Sequence, residues 1–180
     1  MTPDHYQAQL RIIGPVRARR PREMRHPLIS DGLARRPGRS AEPLLDRPAL
    51  VSRLAMIGEL SEGAPLSFVA VKVCGLRELH HRRGWVACEE LLQEVAGELS
   101  GLVRATDSVG RLNASTFGVV LQGTGATAAA AVAARLTYRL NRLPEVLKSV
   151  EIRVGAATGT GRNVDTLPIA AVDSFEDDAV

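Results

Sequence analysis

The chain has 180 residues, 45% of them apolar, two cysteines and a formal charge of +3. That length suffices for one domain with a real hydrophobic core, and the composition fits a globular protein and excludes a disulfide scaffold. The longest apolar-leaning run, Ala126 to Ala134, is far too short to span a bilayer, and the N-terminus lacks the apolar stretch of a signal peptide, so a cytoplasmic protein without a membrane span is expected.

Residues 1–43 carry nine arginines against four acids, whereas Asp173, Glu176, Asp177 and Asp178 make the end of the chain acidic. A basic arm of this kind can hold nucleic acid or an anionic surface by displacing counterions. Pro3, Pro15, Pro21, Pro27, Pro37 and Pro43 interrupt it, however, and Tyr6 is its single aromatic residue, so a disordered, solvated arm is expected and nucleic acid is not the expected partner. Folded pattern begins at Asp46, a helix N-cap with Pro48 in the first turn, followed by Leu50, Leu54, Ile57 and Leu60 at helical spacing. Gly63 and Pro65 end this helix.

The run Leu66 to Cys74 is almost wholly apolar and rich in valine, which predicts a central strand covered on both faces, with Lys72 as its odd residue. Gly75 and Gly84 bracket a short charged helix containing His80 and His81, two histidines expected to be solvated. A longer helix follows from about Val86 to Val103, with Cys88, Leu91, Leu92, Val95, Leu99 and Leu102 forming one stripe. Trp85, just before it, is expected to cap the core. Both thiols, Cys74 and Cys88, lie in apolar runs without metal-ligand spacing and read as buried and free.

Asp107 to Leu112 and Phe117 to Leu121 read as a hairpin around Asn113, Ala114, Ser115 and Thr116. Gly123 to Gly125 lacks the lysine of a phosphate loop and reads as a connection to a third helix, from about Thr127 to Leu143, with Pro144 beyond its end. Val150 to Ala157 is the last predicted strand. Residues 162–180 show no amphipathic period and are read as an acidic, flexible tail. The fold class is therefore α/β (α+β): a βαββαβ central sheet flanked by helices.

This order, with in-register motifs, resembles the GGDEF domain of bacterial diguanylate cyclases over residues 44–161. Leu44 to Leu54 resembles the family's entry motif. With Gly84 set on the glycine of the family's Gly-His pair, Leu76, Arg77 and Leu79 fall on its Phe, Lys and Ile, and Arg111 to Phe117 occupies the place of R-x-G-G-D-E-F. Val150 to Gly161 looks like the closing strand and turn. The resemblance implies a nucleotidyl cyclase-like fold and, in intact members, two-metal condensation of GTP.

The departures from the family pattern imply an inactive member. Lys72 stands for the first metal-binding aspartate, Ser115 and Thr116 for the acids of the signature, and Asn113 and Ala114 for its paired glycines. His80 and Glu89 stand where the family recognises guanine. An ammonium repels Mg²⁺ and a neutral hydroxyl is a poor substitute for a carboxylate. No catalytic residue, metal or cofactor is therefore expected.

The family's product-inhibition motif R-x-x-D has a counterpart in register, Arg104 to Asp107, and a second arginine of that site falls at Arg135. Arg162 to Asp165 is a further match outside the register. The resemblance thus implies cyclic di-GMP as a ligand of Arg104, Asp107 and Arg135, with guanidinium groups gripping phosphate or guanine and the carboxylate accepting from the purine edge. The alternatives are a ligand-free scaffold or dimerisation domain with a protein partner, in which Arg104 and Asp107 form a local ion pair and Arg135 is solvated, and nucleic-acid binding through the arm.

Overall fold

The structure, a computed structural model, describes residues 11–13, 44–61, 63–144 and 150–176. Its centre is strand β2 (Pro65–Cys74), which pairs antiparallel along its length with β5 (Glu151–Thr160) and, from Leu66 to Lys72, with β4 (Thr116–Gln122). β3 (Ser108–Arg111) completes the hairpin with β4, and β1 (Arg11–Ile13) lies outside β5, giving the order β1-β5-β2-β4-β3. The inner four strands are the expected βαββαβ sheet. β1 falls inside the arm expected to be disordered; the remainder of that arm lies outside the described residues, as do Asp177 and Asp178.

Helix α1 (Arg47–Leu60) starts as its sequence dictates: Asp46 Oδ1 accepts the Ala49 N–H at 2.8 Å, which satisfies an orphan donor of the first turn. Leu50, Leu54 and Ile57 are buried, and the chain turns at Gly63 with φ 85°. Helix α2 (Leu76–Leu102) is broken at Gly84, where φ 82° and ψ 177° are open only to glycine, so the two helices read from the sequence are real but abut directly. The break resets the helical phase. Trp85 therefore falls outside the stripe and is 63% exposed instead of capping the core, with Val86 beside it at 69%.

Because side chains alternate across a strand, β2 feeds two separate cores. Val69, Val71 and Val73 meet the buried stripe of α2 and helix α3 (Ala126–Leu140), whose Ala129 and Ala133 lie against the sheet. Leu66, Phe68 and Ala70 point the other way, toward α1 and helix α4 (Leu167–Glu176). On that second face Gly118 and Gly155 admit the helices to close range: a Cβ on Gly155 would stand 2.2 Å from the Ala171 carbonyl, and one on Gly118 2.4 Å from the Phe68 ring. The buried hydroxyl of Ser67 is satisfied by donating to the Thr124 carbonyl at 2.6 Å, with Thr158 Oγ1 also 2.6 Å away.

Helix α4 corrects the reading of 162–180 as a tail. A short 3₁₀ turn (Gly161–Thr166) leads into it, and Leu167, Ala170, Ala171, Ser174 and Phe175 are all buried. These positions do follow a helical period. Alanine and serine carry so little apolar signal that only Leu167 and Phe175 mark it, and Pro168 is compatible with a first turn. Phe175→Ala should cost about 3–5 kcal/mol in urea unfolding, the range for truncating a buried aromatic, whereas a residue in a solvated tail would cost nothing measurable.

Candidate functional site

Three segments meet where β2 ends. The chain leaves Cys74 through Gly75, in the left-handed region at φ 89°, and enters α2 at once. The hairpin loop 112–115 leans on the same tip, because Val73 donates its N–H to the Ser115 carbonyl at 2.8 Å. Cross-strand register then sets Thr116 on one side of Lys72 and Arg153 on the other. The half-buried Lys72 lies on the α1/α4 face, its Nζ 5.7 Å from the centre of the Phe175 ring. Arg153 donates through Nε to Glu151 Oε1 at 3.0 Å.

The loop is tied up by its own polar groups. Asn113 Oδ1 accepts the Ser115 N–H at 2.9 Å, a turn in which the side chain mimics backbone. Arg111 donates to the carbonyls of Ala114 (2.9 Å) and Asn113 (3.3 Å), and its guanidinium stacks 5.7 Å from the Phe117 ring. Lys72, Ser115 and Thr116 are thus brought together as the resemblance implies, with Asn113 and Ala114 exposed at the rim. Arg153 and Phe175 complete the surroundings; neither was legible beforehand, since one depends on strand register and the other on α4.

This donor set does not fit Mg²⁺. Mg²⁺ is held through carboxylates together with water and phosphate oxygens, and among the described residues the tip brings together an ammonium, two hydroxyls and the Glu151 carboxylate, which is paired with Arg153. At 4 Å an ammonium repels a unit positive charge by about 4 kcal/mol at an effective dielectric of 20, and a dication by twice that. Burial pushes the Cys74 thiol upward from its ordinary range; Arg153 and Lys72 pull it down and Glu151 adds to the rise. A neutral thiol therefore stands here at neutral pH.

The guanine-recognition positions sit on either side of the helix break. His80 is exposed, with its ring 5.9 Å from His81 and 6.2 Å, edge-on, from Trp85. Glu89 is half-buried on the second segment.

Arg104, Asp107 and Arg135 converge on the C-terminal end of α2. Asp107 is only 8% exposed and is spent on backbone: Oδ2 accepts the Arg104 N–H at 2.9 Å and Oδ1 the Gln122 N–H at 3.3 Å. The local ion pair of the scaffold reading is absent among the described residues, because the carboxylate takes the Arg104 backbone in place of its guanidinium. Arg135 is exposed yet anchored, its Nη2 donating to the Leu102 carbonyl at 2.6 Å, where it satisfies an orphan acceptor at the helix end. Arg104 is exposed.

A four-stranded antiparallel core with helices on both faces and a strand-tip site under a hairpin loop defines the cyclase-like class of α/β domains. The family model described as "Diguanylate cyclase, GGDEF domain" matches residues 47–174, and the chain belongs to that family. Among solved structures, it is similar to the active GGEEF domain of a diguanylate cyclase from Vibrio cholerae, with a TM-score of 0.66 and 16% identity over 74% of this chain and 90% of that one. A sensory box/GGDEF family protein from Caulobacter crescentus gives 0.64 and 26% identity over 74% and 92%. A microbial GGDEF domain described by its interaction with cyclic di-GMP gives 0.61 and 16% over 72% and 84%.

The two N–H groups held by Asp107 lose their acceptor if the side chain is removed. Asp107→Ala should therefore lower stability by about 1–3 kcal/mol in urea unfolding. A carboxylate kept only for a ligand would leave the free protein unchanged.

Proposed function

We propose that this is a catalytically inactive GGDEF domain that acts in cyclic di-GMP signalling as a regulatory module. One observation carries the reading: Lys72 lies directly across from Thr116, beside the loop bearing Ser115, where the family resemblance requires the metal carboxylates. Phosphoryl transfer of this kind depends on metal-assisted charge stabilisation, and an ammonium at the strand tip opposes the ion that supplies it.

Ligand recognition is assigned to the arginines at the end of α2. Arg104 offers an exposed guanidinium for a phosphate or the guanine edge, and Arg135 adds positive charge beside it. Asp107, whose oxygens already hold two N–H groups, acts chiefly by positioning Arg104. The relative described with cyclic di-GMP supports a ligand of this class.

Purified protein incubated with GTP and Mg²⁺ should form no cyclic di-GMP by chromatography. Calorimetric titration with cyclic di-GMP should give saturable binding that Arg104→Ala weakens about tenfold or more, the loss expected for one charge-assisted hydrogen bond. Product from GTP would refute the inactive assignment. No heat at tens of micromolar ligand, or a response unchanged by Arg104→Ala, would refute the ligand assignment.

A second reading, a ligand-free module with a protein partner, is favoured by one observation: Trp85 and Val86 stand 63% and 69% exposed at the break in α2. Tryptophan with neighbouring arginines has the composition of an interface hot spot.

A further inference from the structure

The α2/α3 layer carries its charge in two opposite halves. Past the break at Gly84, α2 holds Glu89, Glu90, Glu94 and Glu98 and no basic residue, whereas α3 and the turn after it hold Arg135, Arg139 and Arg142 and no acidic one. Among the described residues one ion pair joins the two helices, Arg139 Nη2 to Glu98 Oε2 at 3.2 Å. Glu90 and Glu94 are exposed and make no ion pair among those residues. Arg142 turns back on its own helix, its guanidinium 5.4 Å from the centre of the Tyr138 ring and donating to the Tyr138 hydroxyl at 3.1 Å. Opposite charges side by side on one surface become complementary to themselves under a two-fold rotation.

The contacts between the helices fix their relative level. Arg139 reaches Glu98 and Arg135 reaches the Leu102 carbonyl, so α2 and α3 run antiparallel and Tyr138 stands level with Leu99. Outward of Leu99, α2 presents Gly97 and Gly101, both exposed, and a Cβ on either would meet nothing within 4 Å. Glycine is a poor helix residue, and nothing within the chain calls for it at these positions. Beside them Tyr138 is 61% exposed. One turn further, Arg142 is level with the part of α2 that carries Glu94.

We infer that the outer face of α2 and α3 is a self-association surface whose partner is a second copy of this chain, in a two-fold dimer whose axis runs along the helices between them. Such a rotation lays α2 of one copy over α3 of the other and leaves their level unchanged. Tyr138 of each chain then seats on the bare stretch from Gly97 to Gly101 of the other, and Arg142 meets Glu94 across the interface. Charge selects this overlay, because α2 upon α2 would set Glu90 and Glu94 against their own copies, and α3 upon α3 would do the same with the arginines. The rim pairs contribute mainly specificity and the covered tyrosine most of the affinity. Arg104 and Arg135, assigned above to ligand recognition, take no part, so the inference stands apart from that reading.

Light scattering after size exclusion should give the full chain the mass of a dimer at tens of micromolar. Glu94→Arg and Arg142→Glu each bring like charges together and should each raise the dissociation constant, read from a dilution series, about tenfold or more. An equimolar mixture of the two variants should recover the original constant, because each supplies the charge that the other lacks. Tyr138→Ala should weaken the dimer by a similar factor. All three positions are exposed, so the urea midpoint of dilute protein should stay unchanged as the control for folding. A full chain that is monomeric at tens of micromolar overturns the proposal. So does a dimer unaffected by either charge reversal or by Tyr138→Ala, or a mixture no tighter than its components.

Discussion

The ladder between β2 and β5 holds the rest of the domain in place. It pairs all residues of β2 in one antiparallel register, and β4 secures the other side from Leu66 to Lys72. A strand has a side-chain period of two, so a slip of one residue would send Val69, Val71 and Val73 into the space shaped for Phe68 and Ala70. The two cores therefore enforce the register as firmly as the hydrogen bonds do. Lys72 inherits its neighbours from that register, and the electrostatics of the strand tip follow from packing several residues away.

The two faces of the sheet solve their packing differently. Toward α2 and α3 the sheet presents branched side chains, and the helices answer with leucines and small alanines. Toward α1 and α4 it presents Gly118, Gly155 and Gly159, and the helices come nearly to backbone contact. Interiors packed at this density tolerate little change in volume. Close approach is also what brings Phe175 within cation–π range of Lys72, so the helix that completes the core also covers the strand tip.

The three residues at the end of α2, proposed above for ligand recognition, serve the structure as well. Asp107 ties the turn after α2 to the end of β4, and Arg135 closes the last turn of α2 from α3. Both contacts hold the backbone of Arg104 in a fixed place. A guanidinium mounted on a fixed turn loses less freedom when it meets a phosphate than one on a loose loop, which is the physical content of preorganisation.

The N-cap at Asp46, the doubly covered strand, the hairpin and the break at Gly84 were legible from the residues alone, because each depends on local periodicity or on glycine and proline chemistry, whereas Lys72, Ser115 and Thr116 were singled out through the family resemblance. Tertiary structure alone decided that Leu167 to Phe175 form a core helix, that Trp85 faces solvent, that Asp107 and Arg135 bind backbone, and that Arg11 to Ile13 close an edge. The reason is common to all four. A helix whose buried face is mostly alanine and serine, a phase reset at a break, a carboxylate with several donors within reach and a three-residue strand all carry weak local signals, and contacts distant in sequence determine which state they adopt.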